Sequence, residues 1–248
     1  MVDAGRLSRN QGGPLYRVAR QHLLQGLASG QYLPGTALPP EKDLSAQYGI
    51  SIGTLRKAVD ELVSEGLLVR QQGRGTFVTS HDRERLLYSF FHMVPHDGYK
   101  TEYPLVTLHA FSRQRLGAEA ARKLQQPGGA MGWHLRNVLQ LGGHALMVDD
   151  IMLPESRFPG LTEAEVRNRP GTLYQLYQEA YSLSVARTSE RLRAADAAED
   201  VASLLGLPAG AAVLVIRRLA LGYQQDPIEW RISHANTRLH EYFSELGA

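Results

Sequence analysis

No stretch of this chain restricts its fold more tightly than residues 40–66, where two helical patterns stand with only Gly49 and Ile50 between the first and Ser51. Pro40-Glu41 opens the first helix, and its acidic first turn suits the positive end of a helix dipole. Leu44 and Tyr48 fall on one face, and Gly49 can take the left-handed conformation that closes a helix. Ser51 is a strong N-cap residue. Behind it, in SIGTLRKAVDELVSEG, Leu55, Ala58, Val59, Leu62 and Val63 make one apolar stripe. The other face carries Gly53, Thr54, Arg56 and Lys57 in its first turns, and Gly66 supplies the stop. Two helices joined by a tight Gly-containing turn are a helix-turn-helix pattern. In that geometry the leading residues of the second helix face base edges in the major groove.

The flanks extend the pattern. Pro14 suits a first helical position, because its missing N–H has no intrahelical partner there. Leu15, Val18, Ala19, Leu23, Leu24 and Leu27 recur at helical spacing, which predicts an amphipathic helix over 14–28. Residues 31–39, QYLPGTALP, read as a loop. Leu67 to Arg70 and Thr76 to Val78 are β-prone runs on either side of QQGRG. Gly73 and Gly75 permit a tight turn with Gln72 and Arg74 at its tip. A basic hairpin directly after a recognition helix is a wing that can reach the minor groove or the backbone. Gly73-Arg74-Gly75 lacks the Lys-Ser/Thr of a phosphate loop, which argues against a nucleotide site.

Composition narrows the classes. The chain is 43% hydrophobic and 21% charged, ordinary for a soluble globular protein. No apolar run approaches the roughly 18–20 residues that span a bilayer, so no membrane partner is expected. The opening MVDAGRLSRNQGG lacks an apolar signal core and reads as a flexible arm over 1–13. With no cysteine, thiolate metal sites, disulfides and Cys nucleophiles are excluded, which fits a cytoplasmic protein. Residues 1–80 hold nine Lys/Arg against six Asp/Glu, a modest basic excess compatible with nucleic acid.

The stretch from Pro14 to Val78 resembles the DNA-binding domain of the GntR family of bacterial regulators. The resemblance is carried by Pro14-Leu15-Tyr16, Pro34-Gly35, Leu38-Pro39, LRKAVDELVSEGLL and GRGTFV. It implies double-stranded operator DNA as partner, with contacts from Lys42, Ser51, Gly53, Thr54, Arg56, Lys57, Gln72, Gly73, Arg74 and Thr76. Two positions depart from the family's habit: Lys42 stands where an Arg is usual and cannot form a bidentate fork, and Ile52 stands where a second Arg is usual. Arg56 has an alternative partner in Asp60, one helical turn on.

Residues 79–87 are charged and read as a linker. From 88 on, strands are predicted at 88–94, 103–113, 131–140, 145–153, 183–194, 211–222 and 227–237. Helices are predicted at about 117–124, 162–167, 172–181 and 197–205. Gly142-Gly143 marks a hairpin. This mixture argues an α+β domain around an antiparallel sheet. Residues 88–248 resemble the UTRA effector-binding domain of the HutC-type branch of that family, whose fold is like that of chorismate lyase. The resemblance rests on LMVDDIMLP, GTLYQLYQEAYSL, DVASLLGLPAG and PIEWRISHANTRLHEYF. It implies a winged helix-turn-helix followed by a sheet domain that dimerises and binds a small polar effector, whose binding usually releases DNA. By motif position Asp149 and Glu229 match acidic ligand contacts; Arg136, Tyr177 and Arg231 are further candidates. An Arg pair frequent in the family aligns with Asn137 and Leu139, which argues against a phosphorylated sugar. Each acid could instead be a solvated strand residue or half of a structural salt bridge.

Other chemistry is weaker. His92 and His96 have the spacing of helical zinc ligands, but Pro95 disfavours a helix through them. Asp149 and Asp150 cannot share one site on a strand, because adjacent side chains point to opposite faces. No cofactor is expected. The reading is a DNA-binding transcription regulator, a repressor, acting as a homodimer. The alternatives are a lyase-like enzyme domain fused to a DNA-binding module, and a dimerisation module without ligand.

Overall fold

The computed structural model describes residues 14–79, 91–96 and 103–244. The arm expected over 1–13 and nearly all of the linker expected over 79–87 lie outside the described residues. The chain divides into two compact units, 1–81 and 82–248. Among the described residues no helix is long and apolar enough to cross a membrane.

The first unit runs α1 (Leu15–Ala28), α2 (Glu41–Tyr48), α3 (Ile52–Ser64), β1 (Leu68–Gln71) and β2 (Gly75–Val78). Its core is the predicted stripe of α3, with Leu55, Ala58, Val59 and Leu62 buried against Val18, Ala19, Leu23 and Leu27 of α1 and Leu44 of α2. Each fully buried leucine contributes about 1.5–3 kcal/mol. Val63, at the margin of the stripe, is only half-buried. The turn between α2 and α3 closes as expected, with Gly49 at φ 66°, a conformation that costs a residue with a Cβ. β1 and β2 pair antiparallel from Leu68↔Val78 to Gln71↔Gly75, around a turn in which Gly73 has φ 72°.

The 31–39 segment is more than a loop. Ala37 bridges Phe77, the Leu38 N–H donates to the Thr76 carbonyl at 2.8 Å, and the Val78 N–H donates to the Thr36 carbonyl at 2.9 Å. The outer edge of β2 thereby gains partners for backbone groups an edge strand leaves open. So short a pairing has no periodicity to betray it.

The second unit runs β3 (Met93–Pro95), β4 (Leu105–Arg115), α4 (Ala118–Lys123), β5 (Met131–Leu141), β6 (His144–Pro154), α5 (Glu163–Asn168), α6 (Leu173–Tyr181), β7 (Arg187–Asp196), α7 (Glu199–Leu205), β8 (Ala212–Leu221), β9 (Pro227–Ala235) and β10 (His240–Tyr242). Six strands form one antiparallel sheet in the order β4-β5-β6-β9-β8-β7, and β3 pairs with β10 in a second. The latter strand is absent from the sequence reading, since three residues carry no alternation. Of the strand expected at 88–94, residues 88–90 lie outside the described residues, and β3 begins only at Met93. β7 starts four residues later than expected, because α6 ends on a left-handed Ser182 and the chain must first descend to the sheet edge.

Both sheet faces are covered. On one, Phe158, Leu161, Val166, Leu173, Tyr174 and Tyr177 pack on Leu135, Ile151, Leu153 and Ala220. On the other, Val201, Ala202 and Leu205 of α7 pack on Val148, Val213 and Val215, and Ala120 and Ala121 of α4 lie with Trp230. The alternation along each central strand decides which of the two layers a side chain joins.

Candidate functional site

The leading end of α3 is free of its own unit's core. Ser51 caps it, its Oγ accepting the Thr54 N–H at 3.1 Å and lying 2.8 Å from the Thr54 hydroxyl. Lys42, Ser51, Gly53, Arg56 and Lys57 are exposed, as are Gln72, Gly73 and Arg74 at the wing tip; Thr54 and Thr76 are half-buried. The Lys57 ammonium lies 4.0 Å from the centre of the Tyr16 ring, and the Arg74 guanidinium 5.7 Å from that of Phe77. Both cations rest on aromatic faces that hold them without neutralising them.

Arg56 does not pair with Asp60. It donates to Glu41 at 3.0 Å, while Arg70 donates to Glu41 at 3.3 Å and meets Asp60 at 2.7 Å. The crossing of α2 over α3 brings the first turn of α2 to Arg56, and β1 delivers Arg70 to Asp60. With the Arg56 side chain 57% exposed, this pair holds a direction rather than supplying stability.

In the second unit the polar residues separate onto the two sheet faces. Asn137 of β5 and Ser233 of β9 flank Asp149 of β6 as direct cross-strand neighbours, and Arg231 neighbours Arg218 of β8. Arg231 donates to both oxygens of Glu229, at 2.8 and 3.0 Å, and to Asp149 at 2.9 Å. Glu229 has no exposure at all. Its second oxygen accepts from the Tyr177 hydroxyl at 2.7 Å and its first from Tyr174 at 3.4 Å. Burial, and then the charge of Glu229, push Tyr177 well above the usual tyrosine value, so it donates as a neutral phenol. Burial works against the Arg231 cation, but Glu229 and Asp149 outweigh it and hold its pKa far above the usual arginine value.

A cavity of about 50 Å³ opens against this cluster, lined by Asn137, Asp149, Arg169, Tyr174, Arg218 and Arg231, with Phe91 and Tyr103 among its aromatic neighbours. Three buried atoms at this wall have no hydrogen-bond partner: Oδ1 of Asn137, Oδ1 of Asp149 and Nε of Arg169. The other end of Arg169 donates to the Val166 carbonyl, and burial pushes its pKa down. No carboxylate pairs with Arg169 among the described residues. Arg218 is held by Glu190 at 2.5 Å, and Glu190 also accepts from the Tyr242 hydroxyl.

Of the five residues expected at an effector site, Asp149 and Arg231 line this cavity. Glu229 and Tyr177 stand behind its wall as the anchor of Arg231. Arg136 is not brought to it, and this corrects the sequence expectation. Arg136 pairs across the strands with Asp150 and so projects from the opposite face. There it donates to Asp150 at 2.8 Å and to Asp200 at 2.7 Å, and His134 lies 2.7 Å from the same Asp150 carboxylate. A bulge between Leu139 and Gln140 causes this. Without it, the hairpin that starts at Leu141↔His144 would set Arg136, not Asn137, opposite Asp149. Sequence reasoning missed Arg169, Arg218 and Tyr174 as cavity residues. The available signal was the helix GTLYQLYQEAYSL, whose first turn carries Tyr174.

The opposite-face cluster has its own signature. Burial would raise the Asp150 pKa, but hydrogen bonds from His134 and Arg136 overcome it and hold the carboxyl at about 2. A carboxylate with a lowered folded-state pKa stabilises fully above its ordinary value of 3.8, and that contribution is lost as pH falls toward 2. Urea unfolding between pH 5 and pH 2.5 should therefore show a loss of stability that Asp150→Asn makes shallower. An identical slope in the variant would contradict this account.

Residues 15–78 match the family described as "Bacterial regulatory proteins, gntR family", and residues 103–240 match the UTRA domain. A protein of Escherichia coli strain K12 named as a fructoselysine utilization operon transcriptional repressor is 31% identical over 217 residues, 86% of this chain and 87% of its own length. The HTH-type transcriptional regulator SmoD of Agrobacterium fabrum is 28% identical, covering 84% and 85%. Among solved structures, the ligand-binding domain of a GntR-family transcriptional regulator from Bordetella bronchiseptica superposes with TM-score 0.62 at 28% identity, over 64% of this chain and 99% of that one. YydK of Bacillus subtilis shares the fold, with TM-score 0.58 at 19% identity over 93% and 100%.

Proposed function

Because this chain belongs to the GntR family of bacterial regulatory proteins and carries a UTRA domain behind its DNA-binding unit, we propose that it is a homodimeric cytoplasmic repressor released from its operator by a small polar anion. The anion occupies the cavity among Asn137, Asp149, Arg169 and Arg231. Thr54, Arg56 and Lys57 of α3, with Gln72 and Arg74 of the wing, enter the groove; two copies on a two-fold axis read two half-sites.

The observation that carries the ligand reading is Arg169, a cation shielded from solvent at Nε, facing a cavity and lacking a counter-ion among the described residues. Leaving a buried polar group unsatisfied costs about 1–3 kcal/mol. A ligand that presents an anionic group to Arg169 and a hydroxyl or ammonium donor to Asp149 and Asn137 recovers that cost at three atoms. A cavity of about 50 Å³ has room for a few waters and no metabolite. It must widen on binding. That requirement is what lets the ligand favour one arrangement over another, since equal affinity for both states shifts nothing. The names of relatives as repressors support repression as the sign of control.

The test is a gel shift with duplex from the upstream region of the protein's own operon, titrated with phosphate- and carboxylate-bearing sugars and amino sugars. A thermal-shift screen of the same compounds runs beside it, because a ligand bound to the folded state raises apparent stability. One compound should stabilise the protein and release the duplex. Arg169→Met should bind the duplex as before and require about tenfold or more of that compound, the value of a hydrogen bond to a charged group. A panel in which no anion moves either readout would reject the ligand reading, and light scattering that finds a monomer would reject the dimer.

A further inference from the structure

Ile52 is the first residue of α3 and is 41% exposed. A branched aliphatic group held in water at the leading end of a polar helix is unfavourable by the apolar area it displays. The Ser51 and Thr54 hydroxyls are bonded to each other and Gly53 has no side chain. Ile52 is thus the large apolar side chain that the leading turn presents to whatever α3 meets, beside Arg56 one turn on. Ser51 and Gly53, its neighbours in the chain, line an open depression together with Thr54, Tyr16 and Lys57. The Lys57 cation, suited to a phosphate, belongs to that depression, which Ile52 itself does not line.

In the major groove, base edges are read through donors and acceptors, and the C5-methyl of thymine is the apolar feature among them. Isoleucine cannot hydrogen-bond. Set against a donor or acceptor, it would desolvate that group without replacing its bond. Set against a methyl, it removes two apolar surfaces from water at once. We propose that Ile52 is a specificity-determining residue that selects a thymine methyl in each operator half-site. This rests on the DNA-binding reading above, and the experiment separates the two.

Duplexes are first selected from a random library with the full-length protein. In the selected sequence each thymine is then replaced singly by deoxyuridine, which removes the methyl and nothing else. The expected result is a thymine in each half-site at which deoxyuridine weakens binding about fourfold, the value of one methyl-sized apolar group. Ile52→Ala, a change outside the core, should lose discrimination at that thymine and keep it elsewhere. A selected duplex in which every deoxyuridine is tolerated overturns the proposal. So does one whose sensitive thymine stays equally sensitive with Ile52→Ala. If no duplex is retained from the library, the DNA-binding reading itself fails, and this inference with it.

Discussion

Arg231→Met is expected to cost the C-terminal unit about 3–5 kcal/mol of stability at neutral pH, the penalty for removing one partner of a buried ionic cluster. The substitution keeps most of the side-chain volume, so the loss is electrostatic. It strands Glu229, which has no exposure, and Asp149, which has 1%. Tyr174 and Tyr177 still donate to Glu229, but a neutral phenol does not replace a guanidinium that reaches both oxygens. Urea unfolding followed by tryptophan fluorescence at pH 7 measures the loss. The double variant Arg231→Met/Glu229→Gln should recover part of the loss, because both charges are then removed together. A loss below about 1 kcal/mol for the single variant, at the low end of what an unsatisfied buried group costs, would show that Glu229 is not the anchor described.

Arg56→Ala is expected to weaken operator binding by about 1–3 kcal/mol, the range for losing a bidentate base contact. Its effect on folding should stay within about 0.5 kcal/mol, because its pair with Glu41 is exposed and screened. Separating these two readouts is what makes the variant informative. Titration of a labelled operator and of an unrelated duplex, at one fixed salt concentration, checks it. A base-reading arginine lowers affinity for the operator more than for the unrelated duplex. A phosphate contact lowers both alike, and unchanged operator affinity would remove Arg56 from the interface.

The N-terminal unit was legible almost residue by residue. The stripe of α3, the left-handed Gly49, the Ser51 cap and the hairpin at Gly73 all depend on residues no more than ten apart, and the structure has each of them. Local periodicity and turn chemistry are enough where the contacts they encode are local. In the C-terminal unit the long strands and helices were also legible, to within a few residues at their ends. β10 was not, since it exists only because β3 lies beside it.

The cavity proposed for the effector was readable only in part. Asp149 and Arg231 come from strands about eighty residues apart, and what joins them is the β6–β9 pairing. Arg136 was misplaced because being a polar residue near these strands does not say which sheet face it takes; the β5–β6 register, shifted one residue at a bulge, sets that.

By itself, then, the sequence determined the kinds of element, the capped second helix of the helix-turn-helix and the identity of the charged residues available. Tertiary structure decided which charges meet, which face the cavity and which support it from behind. The reason is that side-chain chemistry is written one residue at a time, whereas burial and strand register arise from pairings between distant segments. Glu229 illustrates it: an acid in the sequence, it became a buried anchor only once Arg231, Tyr174 and Tyr177 had closed around it.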